Sequence, residues 1–248
     1  MNLFELDHVS FGYARNRLVL NDVSLSIARG RNLGIVGESG SGKTTLLRLL
    51  LGLERPTAGT IRFGDAILDS TDRRFMRGYR RSVQAVFQDP YSSLDPRQKV
   101  RDIVAEPLRS LRINRPHLEA VREAFLSVGL TEDAMERYPH EFSGGQRQRI
   151  AIARAIVARP ELVLADEAVS ALDLSTRVTI VELLRALAQD MTLLLVSHDL
   201  GVVAALCEDI VILERGRIVE SGRTLDVLDA PQHRYTKALI ASVPRMPA

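Results

Sequence analysis

The sequence predicts an α/β fold in which a helical segment is inserted between two strands of a sheet. Short apolar runs typical of buried strands alternate along the chain with segments of helical periodicity. These runs lie at 83–87, 162–165 and 192–196. A glycine-rich loop joins another apolar run, which ends at Val36, to a leucine-rich segment that starts at Lys43. Helical periodicity then dominates from Leu94 to about Ala158, which we expect to form the insert.

Composition and charge are ordinary for a globular protein and exclude several classes. The 248 residues suffice for one large α/β domain or for a core with a smaller companion. The net charge of +2 does not indicate a nucleic-acid partner, and the single cysteine, Cys207, excludes an internal disulfide or a multi-cysteine metal site. The sequence shows no charged-then-apolar leader, and no apolar run approaches about 18 residues. We therefore expect a cytoplasmic protein whose membrane role must come through other chains.

Alternating apolar and polar residues predict two half-buried strands before the glycine-rich loop, at 3–9 and 23–27. A turn from Gly12 to Asn16 separates them and contains Tyr13. An aromatic residue there is either structural or stacks on an adenine ring, and the spacing does not decide between the two. After the loop, Gly64-Asp65 lies between two short strands and indicates a hairpin.

The glycine-rich segment Gly37–Thr44 matches the phosphate-loop pattern G-x-x-x-x-G-K-[ST] at every fixed position. Its glycines let backbone N–H groups turn inward, and the following helix adds the partial positive charge of its N-terminus. Lys43 supplies a mobile positive charge for the outer phosphates, and the Thr44 hydroxyl is placed to bind Mg²⁺. The alternative, a plain glycine–serine turn, is disfavoured by the full match and its context.

A second helix start with features of an anion site lies at Ser143-Gly144-Gly145-Gln146, before an arginine-rich helix. Serine and glycine are common at helix N-termini, where free N–H groups can bind an anion. On physical grounds alone, the simpler interpretation as a helix N-cap is favoured over an anion site.

Two adjacent acids, Asp166 and Glu167, follow the apolar run 162–165. Acids at the carboxyl end of a buried strand need a cation or a reaction to justify them. Asp166 is therefore the expected second anchor for Mg²⁺. Since side chains alternate along a strand, we expect Glu167 to point the other way and to accept a proton from an attacking water.

A histidine ends the next apolar run. The run 192–196 leads into Ser197-His198-Asp199, and we favour His198 as a contact of the γ-phosphate over a purely structural histidine. The remaining chain is predicted to form a hairpin and a helical tail, at 210–213 with 217–220 and at 225–242.

In this order, the motifs resemble those of the ATP-binding subunits of ABC transporters over essentially the whole chain. The resemblance identifies Gln88 with the Q-loop, 143–146 with the signature and Ser170–Asp173 with the D-loop. Two departures are mild: Phe142 stands where the signature usually begins with Leu, and Ala168 stands where Pro commonly follows the catalytic Glu. Neither departure removes a functional group, so we expect an active ATPase.

The resemblance implies a single nucleotide-binding domain, 1–248, with a RecA-like phosphate-loop core. The core and its antiparallel β subdomain are expected at 1–93 and 159–248, and an α-helical subdomain at 94–158. It also implies a dimer in which each ATP lies between the phosphate loop of one subunit and the signature of the other. Because of that role, the interpretation of residues 143–146 as an anion site is favoured over a simple N-cap.

The resemblance assigns a role to each motif, with ATP and Mg²⁺ as cofactors. Gln88 senses the metal and the attacking water, Glu167 is the general base, and His198 positions and stabilises the γ-phosphate. The implied catalytic residues are Glu167, His198 and Gln88, and the implied Mg²⁺ ligands are Thr44, Gln88 and Asp166. The implied nucleotide-binding residues are Tyr13, Gly37, Glu38, Ser39, Gly40, Ser41, Gly42, Lys43, Thr44, Thr45, Ser143, Gly144, Gly145, Gln146 and Asp173.

Two segments, Gln88–Pro96 and Pro231–Leu239, are similar to the branch of the family that imports peptides and nickel. This branch implies membrane-spanning permease subunits, an external substrate-binding protein, and a dimer with a second copy or a related ATPase. The expected location is the cytoplasmic face of the cell membrane, as a peripheral subunit. We expect the permease to dock around Tyr91–Val100.

Two other classes stay as alternatives. A soluble ABC ATPase acting on DNA or ribosomes usually carries a long coiled-coil insert or tandem nucleotide domains, whereas this chain has one set of motifs and a compact insert. A phosphate-loop kinase would not need the signature, the D-loop and His198 together. A transport ATPase is therefore favoured.

Overall fold

The computed structural model of the chain describes residues 2–14, 17–170 and 172–242. The strands are β1 (Asn2–Phe11), β2 (Leu20–Ala28), β3 (Leu33–Val36), β4 (Ala58–Phe63), β5 (Ala66–Ile67), β6 (Val83–Val86), β7 (Leu162–Asp166), β8 (Thr192–Ser197), β9 (Asp209–Glu214) and β10 (Arg217–Arg223). The α-helices are α1 (Lys43–Leu50), α2 (Arg73–Ser82), α3 (Pro90–Ser93), α4 (Val100–Ser110), α5 (His117–Ser127), α6 (Gly144–Ile156), α7 (Leu174–Leu187), α8 (Leu200–Leu206), α9 (Thr224–Asp229) and α10 (Arg234–Ala241). Short 3₁₀ helices lie at Glu132–Glu136 and Pro139–Glu141. Arg15 and Asn16 of the predicted turn and Ala171 of the predicted D-loop lie outside the described residues.

The chain divides into two compact units. The first is formed by Met1–Asp72 with Thr192–Ala248, and the second by Arg73–Met191. The second unit contains the whole predicted insert 94–158, together with α2, β6, β7 and α7. The separation of the insert from the core at 94 and 158 stays a prediction.

In the first unit, β2, β1, β4 and β5 lie side by side in that order with antiparallel pairing throughout. Alternation along β1 is interrupted where the register shifts between Leu6 and Val9, around His8, whose φ of 50° is left-handed. Four further strands follow one another in the order β10, β9, β3, β8, and β3 runs parallel to both β9 and β8. All four residues of β3 are buried, which explains its uninterrupted apolar sequence.

The register of the parallel strands determines which loops start side by side at the same level of the sheet. Val36 at the end of β3 is level with Ser197 at the end of β8, so the phosphate loop and His198 follow adjacent strand ends. In the second unit, Val86 of β6 is level with Ala165 of β7. Loops at the carboxyl ends of parallel strands are where α/β proteins bind ligands.

Buried apolar residues fix the helices that carry the loops. On α1, Leu46, Leu49 and Leu50 are fully buried, and each buried leucine contributes about 1.5–3 kcal/mol to stability. This burial holds the N-terminus of α1 against the phosphate loop. In the second unit, α4, α5 and α6 pack against one another. Their fully buried residues include Val104, Leu108, Phe125 and Ile150.

No helix in the described part of the chain is both long enough and apolar enough to cross a membrane.

Candidate functional site

The phosphate loop lies between a buried strand and a helix, as its sequence predicts. It joins β3 to α1, and Gly42 occupies the N-cap position of α1. Gly40 and Gly42 have backbone φ angles of 80° and 109°, which residues other than glycine rarely adopt. A Cβ on Gly42 would also lie 2.8 Å from Cδ2 of Leu20, whereas a Cβ on Gly40 would meet nothing within 4 Å. The loop therefore packs tightly at its base and is open at its tip.

Lys43 is buried inside the curve of the loop and is only 7% exposed. Its Nζ donates hydrogen bonds to the carbonyl oxygens of Gly37, at 2.7 Å, and Glu38, at 2.9 Å. The Ser41 hydroxyl is buried without a hydrogen-bond partner among the described residues, so a polar group is left for a ligand oxygen. Gly37, Ser41, Gly42, Lys43 and Thr45 are buried, whereas Glu38, Ser39, Gly40 and Thr44 are exposed. These features fit a phosphate group.

Tyr13 contacts Phe11 and Arg48 and still leaves more than half of its surface exposed. Its ring meets Phe11 edge-on, with centroids 4.9 Å apart, and its hydroxyl accepts a hydrogen bond from Nη1 of Arg48 at 3.4 Å. Hydrogen bonding with Thr45 and Arg48 lowers the pKa of Tyr13. The side chain is nevertheless 58% exposed. Both interpretations of Tyr13 stay compatible with this geometry, because a structurally fixed ring can also present a face for stacking.

His198 is exposed and lies directly after β8, next to the start of the phosphate loop in the strand register. Asp199, the next residue, is the N-cap of α8 and accepts hydrogen bonds from the N–H groups of Gly201 and Val202, at 2.9 and 3.2 Å. The cap fixes the backbone that carries the imidazole. The structure thus brings His198 to the strand edge from which the phosphate loop begins.

In the second unit, Gln88 and the two acids follow neighbouring parallel strands. Gln88 is exposed and lies two residues beyond β6, while Asp166 ends β7 and is half-buried. The predicted orientation of Glu167 rested on strand alternation, and that argument was wrong. The strand ends at Asp166, and Glu167 has a φ of 46° in the left-handed region. The direction of its side chain is therefore set by a turn and not by the pleat.

The signature segment forms a capped helix start. The Ser143 hydroxyl accepts a hydrogen bond from the N–H of Gln146 at 3.3 Å, and the Gln146 side chain accepts one from the N–H of Ser143 at 3.0 Å. The N-cap interpretation is thus confirmed. It does not exclude an anion site, since the Ser143 hydroxyl proton stays available for donation. Around Gly144, the space that a Cβ would occupy is open.

Asp173 of the D-loop is the N-cap of α7. It accepts hydrogen bonds from the Ser175 hydroxyl at 2.6 Å, from the Thr176 N–H at 3.0 Å and from the Thr176 hydroxyl at 2.7 Å. These bonds, with that of Ser175 the strongest, hold the pKa of Asp173 far below its usual range. Thr176 in turn lies against Gly145, because a Cβ on that glycine would be 2.4 Å from the Thr176 methyl carbon. The first turn of α7, which directly follows the D-loop, is therefore in contact with the signature.

The predicted residues divide between the two units. The first unit carries Tyr13, residues 37–45 and His198, and the second carries Gln88, residues 143–146, Asp166, Glu167 and Asp173. Among the residues that the structure describes, no three His, Cys, Asp or Glu side chains form a group that could hold a metal ion. The predicted Mg²⁺ ligands include a single carboxylate, so they would need ligand oxygens to complete a coordination shell.

Two contacts of functional segments were not predicted. The Tyr235 hydroxyl, in the tail, accepts a hydrogen bond from the N–H of Glu38 in the phosphate loop at 2.8 Å. The Arg147 guanidinium, on α6, lies 3.9 Å over the ring of Tyr91, and its Nε donates to the carbonyl of Pro139 at 2.7 Å. Tyr235 belongs to the tail segment Pro231–Leu239, which is similar in sequence to importers. That similarity is the sequence feature that could have pointed to a role for Tyr235.

Family models match most of the chain. The model described as ABC transporter matches residues 20–170, and the model described as the C-terminal region of oligopeptide/dipeptide transporters matches residues 219–248.

Two similar proteins align with more than nine tenths of this chain. The chain is 42% identical over 233 residues to OppF of Lactococcus lactis subsp. lactis, an oligopeptide transport ATP-binding protein. The alignment covers 92% of this chain and 73% of OppF. The chain is also 43% identical over 230 residues to AppF of Bacillus subtilis, which is likewise named an oligopeptide transport ATP-binding protein. This alignment covers 91% of this chain and 70% of AppF.

Solved structures share the fold. CbiO1 of Clostridium perfringens, described as part of an ABC transporter complex, has a TM-score of 0.83 and 26% identity, over 92% of this chain and 91% of that one. The ATP-binding cassette MJ0796, solved as a dimer in a post-hydrolysis state with ADP and phosphate, has a TM-score of 0.79 and 30% identity. That match covers 89% of this chain and 98% of the other.

Proposed function

Because the chain belongs to the ABC transporter family of ATP-hydrolysing proteins, we propose that it is the subunit that drives an importer of peptides. The observation that carries the proposal is the match of 219–248 to the C-terminal region of oligopeptide/dipeptide transporters, found together with a complete phosphate loop. The relatives OppF and AppF are named for oligopeptide transport. None of the relatives described above is named for nickel, so peptides are the favoured substrate class.

ATP binding is proposed to begin at the phosphate loop. The loop leads into the N-terminus of α1, where an anion is stabilised, and its N–H groups would bind the phosphates. Lys43 Nζ would exchange the carbonyl oxygens of Gly37 and Glu38 for phosphate oxygens, which carry full negative charge and form stronger hydrogen bonds. Tyr13, which is more than half exposed, would stack on the adenine. Arg48 of α1 donates a hydrogen bond to the Tyr13 hydroxyl and so ties this ring to the helix that follows the phosphate loop.

For Mg²⁺ we propose Thr44, Gln88 and Asp166 as the ligands from this chain. A hydroxyl, an amide and a carboxylate all present oxygen atoms, which is the donor type that this ion prefers. When bound, Mg²⁺ neutralises charge on the phosphates and polarises the bond that is broken.

Hydrolysis is proposed to use Glu167 as the general base and His198 as the group that positions and stabilises the γ-phosphate. Glu167 would take the proton of the attacking water, a contribution of about 10²–10⁴-fold in rate. Gln88, exposed beyond β6, would orient that water and sense the metal.

The signature is proposed to bind the γ-phosphate of ATP held by a partner subunit. The supporting observations are the Ser143 N-cap, the open space at Gly144 and the dimer reported for the related cassette MJ0796. Such a dimer closes around ATP and opens after hydrolysis. The partner is either a second copy of this chain or a related ATPase.

The mechanical cycle is proposed to act on permease subunits that dock at Tyr91–Val100, with substrate delivered by an external binding protein. The protein would then sit at the cytoplasmic face of the cell membrane. Purification of a tagged copy from native membranes in mild detergent, with partners identified by mass spectrometry, tests this assembly. Two multi-span proteins support the importer, and a second ATPase among the partners identifies a heterodimer.

Ribosomal or DNA-repair partners without membrane proteins would instead contradict the transport role and favour the soluble alternative. To separate peptides from nickel, the binding protein encoded with those membrane subunits is titrated with short peptides and with Ni²⁺. Binding of peptides and not of Ni²⁺ supports the proposed substrate, and the reverse result overturns it.

A further inference from the structure

The helical tail contacts the phosphate loop directly. The hydroxyl of Tyr235, in the first turn of α10, accepts a hydrogen bond from the N–H of Glu38 at 2.8 Å. The two residues are 197 positions apart in the sequence. Tyr235 lies in the region 219–248, whose match is to the C-terminal region of oligopeptide/dipeptide transporters, and its role is not explained by the phosphate-loop pattern.

The N–H of Glu38 and the carbonyl of Gly37 belong to one peptide group. That carbonyl accepts a hydrogen bond from Lys43 Nζ at 2.7 Å. Because the N–H and C=O of a trans peptide point in opposite directions, Tyr235 and Lys43 hold this group from its two sides. The plane of the peptide, and with it the position of the Lys43 ammonium, is therefore linked to the tail.

The tail helix is itself fixed at its N-terminus. The Glu220 carboxylate, on β10, accepts hydrogen bonds from the N–H groups of Gln232 at 2.7 Å and His233 at 3.0 Å. His233 Nδ1 then accepts one from the N–H of Tyr235 at 3.3 Å. Burial raises the pKa of Glu220, but hydrogen bonding, with that of the Gln232 N–H the strongest, contributes to a net lowering of the pKa, so the carboxylate stays charged. A negative charge at this position also favours the N-terminus of α10.

Burial raises the pKa of Tyr235 above its ordinary value, so the phenol is neutral at physiological pH. A neutral hydroxyl accepts the Glu38 N–H through a lone pair and keeps its own proton for donation.

We propose that Tyr235 is a positioning residue for nucleotide binding, which holds the Gly37–Glu38 peptide so that the phosphate loop is preorganised for ATP and ADP. The tail region of this chain would thereby act on the nucleotide site as well as completing the fold. Tyr235 touches the loop and not the reacting atoms. Its contribution is therefore made equally in the ground state and the transition state, which affects KM and leaves kcat unchanged.

The test is Tyr235→Phe in the full chain, since this substitution removes only the hydroxyl. Dissociation constants are measured with a fluorescent ADP analogue and, by competition, with ATP in the presence of Mg²⁺. Loss of one neutral hydrogen bond predicts a rise of about two- to tenfold in both constants. KM for ATP should rise by the same factor at unchanged kcat. Lys237→Ala, at an exposed position of the same helix, is the matched control and should change neither.

An unchanged dissociation constant in Tyr235→Phe overturns the inference, as does an equal rise in Lys237→Ala. A second variant, Glu220→Gln, keeps the Tyr235 hydroxyl and weakens only the cap of α10. It should raise both constants in the same direction, and if Tyr235→Phe fails to fold, an unchanged constant in Glu220→Gln overturns the inference. The inference rests on the proposed role of the phosphate loop. A wild-type chain that binds no nucleotide would contradict that role, whereas equal binding by wild type and Tyr235→Phe contradicts only the inference.

Discussion

Gly145 of the signature lies so close to Thr176 that a Cβ on the glycine would be 2.4 Å from the threonine methyl carbon. Gly145 lies in the first turn of α6 and Thr176 in the first turn of α7, behind the D-loop. Thr176 is fixed in turn by two hydrogen bonds to Asp173. The signature and the helix that follows the D-loop therefore constrain one another inside a single chain.

This contact predicts that Gly145→Ala separates the starts of α6 and α7. Overpacking of this kind costs about 1–3 kcal/mol, and we expect a loss of that size in the free energy of unfolding, measured with urea. Gly144→Ala is the matched control, because a Cβ there meets nothing within 4 Å. The second substitution Thr176→Ser removes the methyl and keeps the hydroxyl, so it should restore stability to Gly145→Ala. Equal stabilities of Gly145→Ala and Gly144→Ala would contradict the packing argument.

Glu167→Gln should bind ATP and hydrolyse it very slowly. The amide keeps the size of the side chain and cannot accept the proton of the attacking water, so the rate should fall by about 10²–10⁴-fold. Phosphate release measures the rate, and titration with ATP measures binding. Near-normal hydrolysis would show that another group is the base.

The local parts of the site could be predicted from the sequence. The loop Gly37–Thr44 is a continuous pattern, and the apolar runs before His198 and Asp166 are buried strands, at whose ends the proposed site residues lie. These features depend on residues that are neighbours in the chain. The predicted α/β class was confirmed for the same reason.

What could not be predicted depends on distant contacts or on the backbone of a single residue. Glu167 leaves the pleat because its φ is 46°, and nothing in the apolar run 162–165 indicates where that strand ends. The contact of Tyr235 with Glu38 joins residues that are far apart in sequence. A tail helix is predictable from periodicity, but the surface on which it packs is not.

Tyr13→Ala should weaken the binding of both ATP and ADP. Stacking of a base on an aromatic ring contributes about 1–3 kcal/mol. The aromatic ring is still present in Tyr13→Phe, so this variant should keep the stacking contribution. Tyr13→Phe removes the hydrogen bond with Arg48 but keeps the ring, so it separates stacking from the structural role. Binding that is lost equally in both variants would favour the purely structural interpretation.

Arg97→Glu should disrupt assembly with the permease and leave hydrolysis by the isolated subunit unchanged. Arg97 lies in the proposed docking segment Tyr91–Val100, and its side chain is 88% exposed. Its hydrogen-bond partner among the described residues is Asp95, so the reversed charge disturbs little else. Co-purification with the membrane subunits and phosphate release by the isolated chain are compared with wild type. Intact assembly, or loss of hydrolysis by the isolated chain, would contradict the docking assignment.

The lowered pKa of Asp173 predicts that the stability of the chain depends on pH. Hydrogen bonds from Ser175 and Thr176 lower its pKa in the folded chain relative to the unfolded chain. A depressed carboxylate pKa contributes stability that is fully present above the unfolded pKa and is lost as the pH falls through the folded pKa. Asp173→Asn should therefore be less stable than wild type at pH 7, and the difference should shrink as the pH falls below about 4.

Urea unfolding of the two proteins at pH 7, 5 and 3.5 measures this difference. Between pH 7 and 5 the carboxylate is charged in both the folded and the unfolded chain, so the difference should stay constant there. Asp190→Asn, an acid beyond the end of α7, is the control and should show no comparable loss at pH 7. A difference between Asp173→Asn and wild type that is absent at pH 7, or that grows as the pH falls, would show that the cap does not hold the start of α7. The close approach of Thr176 to Gly145 would then have to be maintained by packing alone.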